Sequence, residues 1–147
     1  MLFRSREGRL AEARRYFERA VELGPNNGEA CNNLAVMLNN EGKPRDAIRL
    51  LEQTLRVRPS YTDALYNYAI SLSQLGEVDG AMAKLRQVLA FDPGYPEANN
   101  NLGAILIQRG HREEATRFFE RAVQEKPDYP DALSNLGVMR QIGRAHV

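Results

Sequence analysis

Asparagine returns every 34 residues, at Asn33, Asn67, Asn101 and Asn135. A primary amide offers two N–H donors and a carbonyl acceptor, so one side chain can pair with both polar groups of a peptide unit on a bound strand. Asparagine inside a helix is disfavoured by about half a kcal/mol against alanine, because its side chain competes for backbone hydrogen bonds. A ladder of such amides would grip an extended chain with little regard to its side chains. The same residues have a second reading, in which each amide bonds the neighbouring element and fixes stacking. The sequence leaves both open. Reactive constellations are missing. His111 and His146 have no cysteine, second histidine or carboxylate at ligand spacing, and Cys31 is the one cysteine. No phosphate loop, dinucleotide fingerprint or nucleophile elbow occurs. No cofactor and no metal are expected, and the chain is expected not to be an enzyme by itself.

The elements that carry these amides follow from the period. Pro25, Pro59, Pro93 and Pro127 stand 34 residues apart, and so do Gly8, Gly42, Gly76 and Gly110, and Ala13, Ala47, Ala81 and Ala115. Three residue types in one phase mean stacked supersecondary units, each unable to bury its apolar face alone. With proline at position 32, full repeats span 28–61, 62–95 and 96–129. Residues 1–27 fill positions 8–34 of an earlier repeat, and 130–147 begin another. Each repeat reads as two helices. The first is expected over positions 2–14, as in Glu97 to Arg109, and stops at glycine. The second is expected over positions 18–30, as in Glu113 to Glu125, and stops before proline. Pro96 and Pro130 suit a first turn, where a missing N–H is harmless. No strand is expected.

Small and large residues alternate at the positions where helices must meet. Position 7 holds Leu34, Tyr68, Leu102 and Leu136, and position 8 holds Ala35, Ala69, Gly103 and Gly137. Position 20 is always alanine, position 24 is Phe17, Leu51, Leu85 and Phe119, and position 27 is Ala20, Thr54, Val88 and Ala122. Small residues opposite large ones let helices approach and interdigitate, so this stripe reads as core.

The runs Asn101-Leu102-Gly103, Gly110 to Ala115 (GHREEA), Phe118 to Ala122 (FFERA) and Pro127-Asp128-Tyr129 resemble the tetratricopeptide repeat. The resemblance covers the chain to about Met139. It implies an all-α right-handed superhelix (an α-solenoid) of antiparallel helix hairpins, with the first helices lining a concave groove, in a protein that binds other proteins. One departure stands out: the aromatic common at position 4 is replaced by Cys31, Leu65, Asn99 and Leu133.

The family places positions 2, 5, 6, 9, 12 and 13 of the first helix on the groove. Position 5 is then Asn32, Tyr66, Asn100 and Ser134, position 9 is Val36, Ile70, Ala104 and Val138, and positions 12 and 13 include Asn39, Asn40, Ser73, Gln74, Ile107 and Gln108. The expected peptide-binding set is Asn33, Asn67, Asn101, Asn135, Asn32, Tyr66, Asn100, Asn39, Gln74 and Gln108. The amide series is similar to the asparagine ladder in the repeat arm of O-linked N-acetylglucosamine transferase. Replacing Asn67 and Asn101 together by alanine is expected to weaken peptide binding while leaving helicity intact.

Charge narrows the partner. Charged residues are 27% of the chain, yet the net charge is +1, so no basic excess is available for nucleic acid or an anionic membrane surface. Position 2 is acidic each time, at Glu29, Asp63, Glu97 and Asp131. These acids either compensate the helix dipole or form a rim that selects basic ligands. Positions 2, 5, 6, 9 and 13 of the full repeats hold no lysine or arginine, which argues against the carboxylate clamp of chaperone-binding members of that family. The expected partner is a protein or extended peptide, neutral or basic. No stretch is long and apolar enough to insert in a bilayer. The compartment stays open.

Both termini read as interrupted. The chain opens within a repeat, and at the other end the glycine due at position 15 is Arg144, with Gly143 one residue early. Ile142 to Val147 resembles a translated sequencing adapter, so a non-native tail is expected from about residue 141. A fragment of a larger protein is therefore expected, with two alternatives: the repeat arm of a larger glycosyltransferase or sulfotransferase, or a scaffold self-associating through an uncapped helix bearing Leu10, Phe17 and Val21.

Overall fold

The computed structural model describes residues 5–145. Eight helices occur among them and no strand: α1 (Arg6–Leu23), α2 (Gly28–Asn40), α3 (Pro44–Val57), α4 (Thr62–Gln74), α5 (Val78–Phe91), α6 (Pro96–Gln108), α7 (Arg112–Glu125) and α8 (Pro130–Ala145). Two compact units divide the chain after Glu77.

The first unit holds α1–α4. Asn27 starts α2, its side-chain oxygen accepting from the Ala30 N–H at 3.1 Å. The α2–α3 turn passes through Gly42 at φ +73°, a conformation that a Cβ would strain. Leu34, Ala35, Leu38, Ala47, Leu51 and Ala64 form the core, with Phe17, Val21, Tyr61 and Tyr68 half-buried against it. The small residues at positions 8 and 20, Ala35 and Ala47, are fully buried, and this lets Leu51 seat between helices. α1 buries no residue completely.

The second unit holds α5–α8. Gly110, at φ +81°, turns α6 into α7. Phe119 is 1% exposed and its ring fills the space above Gly103, where a Cβ would stand 2.7 Å from the ring edge. α8 packs on α7 and α6.

From α2 to α7 the expected boundaries fall within one residue: α6 begins at Pro96 rather than Glu97, and α7 at Arg112 rather than Glu113. α1 departs from the pattern: it begins at Arg6 and runs through Gly8, where the period predicts a turn, because Ser5 caps it by accepting from the Gly8 N–H at 3.1 Å. α8 differs as well. It runs on to Ala145, where α2, α4 and α6 stop after 13 residues. Each of those three is followed two residues later by a glycine of positive φ, and the corresponding residue after α8's first 13 is Arg144. Without that glycine the backbone has no low-strain exit, and the helix continues. The suspected tail thus lies partly in α8, while His146 falls outside the described residues.

Candidate functional site: amides between first helices

In the first unit, α2 and α4 lie side by side and are joined by amides. Asn67 Nδ2 donates to Asn32 Oδ1 at 2.8 Å. Asn39 Nδ2 donates to the Asn67 backbone carbonyl at 3.3 Å, and Asn39 Oδ1 accepts from Ser71 Oγ at 2.8 Å. Gln74 Nε2 donates to the Asn39 carbonyl at 3.2 Å. The second unit repeats the first of these bonds, with Asn135 Nδ2 donating to Asn100 Oδ1 at 3.0 Å between α8 and α6. In both units a position-6 amide gives one N–H to the position-5 amide of the preceding first helix.

Burial sorts the expected set into two groups. Asn32, Asn39 and Asn100 are 8%, 5% and 6% exposed, and their amides bond to the neighbouring first helix. The first helices approach closely enough for these short polar side chains to be enclosed between them, where an unpaired amide would be destabilising by about 1–3 kcal/mol. Asn33, Asn67, Asn101, Asn135 and Tyr66 are half-buried, and Gln74 and Gln108 are exposed. The side-chain oxygens (Oδ1) of Asn67 and Asn135 accept no hydrogen bond among the described residues, and Asn33 has no side-chain bond there. Asn33 lines an opening of about 300 Å³ with Tyr16, Phe17, Asn27 and Glu29.

The acids of position 2 all lie in first turns. Glu29 and Asp63 face Tyr61, whose hydroxyl pKa is raised first by burial and then by these two charges. Two cations that the sequence did not single out also approach. Arg58 lies 4.8 Å from the Tyr61 ring centre, and Lys126 lies 4.9 Å from that of Tyr129 while pairing with Glu97 at 3.6 Å. Both stand three residues before their tyrosine at the end of a second helix, a spacing that the groove positions alone did not cover. Among the described residues no group of three or more His, Cys, Asp or Glu is placed to hold a metal, and no helix is long and apolar enough to cross a membrane.

Two family models described as tetratricopeptide repeat match the chain, one over residues 4–42 and 38–96 and the other over 74–136. No curated protein matches it in sequence. Among solved structures, YrrB, described as a TPR protein with an unusual peptide-binding site, is 27% identical, with a TM-score of 0.68 over 84% of this chain and 64% of that one. A mutant of the Thermobaculum terrenum O-GlcNAc transferase is also 27% identical, with a TM-score of 0.70 over 76% of this chain and 22% of the transferase. MamA shares the fold at 21% identity, with a TM-score of 0.76 over 98% of this chain and 87% of that one. With 34-residue helix hairpins, positive-φ glycines at their turns and family matches over most of its length, the chain belongs to the tetratricopeptide repeat family of protein-interaction modules.

Proposed function

We propose that this module holds an extended peptide through its backbone, using the position-6 amides Asn33, Asn67, Asn101 and Asn135, with Tyr66, Gln74 and Gln108 beside them. The observation that carries the reading is the half-bonded state of Asn67 and Asn135. One N–H of each is committed to a position-5 amide, which orients the group, and the carbonyl oxygen keeps its acceptor capacity. Stacking and binding then use different atoms of one side chain. Exposed acids at Glu29, Asp63 and Asp131 favour a neutral or basic segment. YrrB, a relative described by its peptide-binding site, lends the class of ligand.

Asn33 gives the cleanest test, because its side chain has no inter-helix bond to lose. An unstructured peptide rich in Ser, Thr and Lys is titrated into the isotope-labelled chain while the side-chain amide resonances are followed by NMR. The Asn33 and Asn67 amides are expected to shift, and Asn33→Ala to weaken binding about tenfold at unchanged melting temperature. Amide resonances that stay put at saturating peptide would defeat the reading.

Two further readings have their own support. The chain is similar to the transferase over 22% of that protein's length, which suits a repeat arm of a larger glycosyltransferase; recovering the complete reading frame decides this. Of the three residues expected to be uncovered on α1, Phe17 and Val21 are half-buried against the core and Leu10 is 51% exposed; Tyr16 and Leu23, at 69% and 71%, add to the open apolar area, which suits self-association. Light-scattering mass as a function of concentration tests it, and a strict monomer counts against it.

A further inference from the structure

An opening of about 340 Å³ lies over Asn99 in the second unit, lined by Leu89 of α5, Pro93, and Arg117, Phe118 and Arg121 of α7. Asn99 is 2% exposed, and its Nδ2 donates to two carbonyls, Pro93 at 3.0 Å and Tyr95 at 2.9 Å. Two acceptors on one side settle which end of the amide is nitrogen, so Oδ1 faces the other way. That oxygen accepts no hydrogen bond among the described residues. No unpartnered side-chain polar atom there is sealed from solvent, so Oδ1 must look into the opening that Asn99 lines. At the rim, Arg121 leans toward Glu125 at 3.5 Å, while Arg117 has no ion pair among the described residues.

The first unit differs at the same place. There position 4 is Cys31, fully buried, and Gln53 of the following second helix donates to the Pro25 carbonyl at 2.7 Å across it. In the second unit the residue matching Gln53 is Arg121, which turns to Glu125 and makes no such bond. The two units thus differ here at two positions, asparagine for cysteine at position 4 and arginine for glutamine at position 26.

We infer that this opening is a docking site for a tryptophan side chain of a partner polypeptide, with an acidic residue beside it. The volume suits one ring system, and Leu89, Pro93 and Phe118 give it apolar walls. An indole N–H donates and cannot accept, which matches an orphan carbonyl oxygen; phenylalanine has nothing to give it. Leaving that oxygen unpaired is the costlier outcome, so a donor on the ligand is selected. Arg117 supplies the cation for the neighbouring carboxylate. The chain has no tryptophan of its own, so the ring comes from elsewhere. None of the position-6 amides takes part, and the site stands or falls apart from the groove.

The lack of tryptophan also makes the test direct, since all indole emission comes from the probe. The peptide acetyl-Gly-Ser-Trp-Glu-Ser-Gly-amide is titrated with the protein, and a saturable blue shift is expected. The 1-methyl-tryptophan peptide keeps the ring and loses the donor, and should bind about tenfold more weakly. Arg117→Glu, at an exposed position, should weaken the parent peptide by a similar factor and favour a Lys-for-Glu peptide. Asn99→Phe fills the opening and should abolish the shift, its fold being checked by thermal melting. No shift with the parent peptide, equal binding of the methylated one, or indifference to Arg117→Glu would each overturn the assignment.

Discussion

Gly103 and Phe119 show how tightly one residue type can be tied to another. A Cβ on Gly103 would lie 2.7 Å from the Phe119 ring, inside any tolerable contact. In the first unit the same pair of positions holds Ala35 and Leu51, both fully buried, so a smaller side chain at position 24 is matched by a larger one at position 8. Gly103→Ala should therefore destabilise the fold by about 1–3 kcal/mol through overpacking, although alanine is the better helix former. Adding Phe119→Leu reproduces the first unit's pair and should recover most of that loss. Urea denaturation of the single and double variants checks this, and the absence of recovery would sink the size-matching argument. Tyr68 offers a second residue-level check. Its pKa is pushed up to about 12, first by burial and then by the bond its hydroxyl donates to Glu52 at 2.9 Å. A phenol whose folded pKa exceeds its unfolded value of about 10 adds stability below pH 10, and this is lost as pH rises through the folded value. Ultraviolet titration of Glu52→Gln should show a lower pKa that still exceeds the ordinary one, because burial is the larger cause.

Between helices, α2 and α4 share an apolar core and are also joined by a lattice of amides. Asn39 is its centre, with both ends of its side chain bonded and its own carbonyl accepting from Gln74. Asn39→Leu removes one of two acceptors within reach of the buried Ser71 hydroxyl, the other being the Asn67 carbonyl at 3.0 Å. It also removes the Asn39 N–H bond to that carbonyl, and is expected to lower stability by about 1 kcal/mol. Thermal melting would show it; Asn39→Leu together with Ser71→Ala, which removes both polar partners, should be milder. The helix spans were legible in the sequence because proline, glycine and the small-residue stripe each fix a boundary or a face by local chemistry. The partition of the asparagines was not. Whether an amide is enclosed or half-open depends on how closely two helices approach, and Asn32 and Asn33 are adjacent, chemically identical and differ only in that. Asn99 was visible as a departure from the family pattern. What it makes needed the positions of Leu89, Phe118 and Arg121 around it.

Across the whole chain, stability should be distributed unevenly, because repeats are held by their immediate neighbours. The α2–α3 hairpin carries ten of the buried residues, seven on α2 and three on α3, and the α6–α7 hairpin carries nine, six and three. α1 has none and α8 has only Ala132. Besides its half-buried Phe17 and Val21, α1 is tied to the α2 end by charge: Arg14, which also bonds Glu18 on its own helix, reaches Glu41 just past α2. The Glu41 carboxyl is held below its ordinary pKa, first by the Arg14 hydrogen bond and then by Lys43. A depressed carboxyl pKa contributes stability above the unfolded value and loses it as pH falls through the folded one. Both groups are near the surface, so the effect is small and screened by salt. Amide hydrogen exchange should accordingly be fastest in α1 and α8 and slowest in α2–α3 and α6–α7. Lowering the pH through the carboxylate range should open α1 more than it opens α8, once the intrinsic slowing of exchange in acid is divided out. Glu41→Gln should reproduce that opening of α1 at neutral pH and leave it little dependent on further acidification. If α1 proves as protected as α3, burial rather than the ion pair governs its attachment, and the charge pair is ornamental.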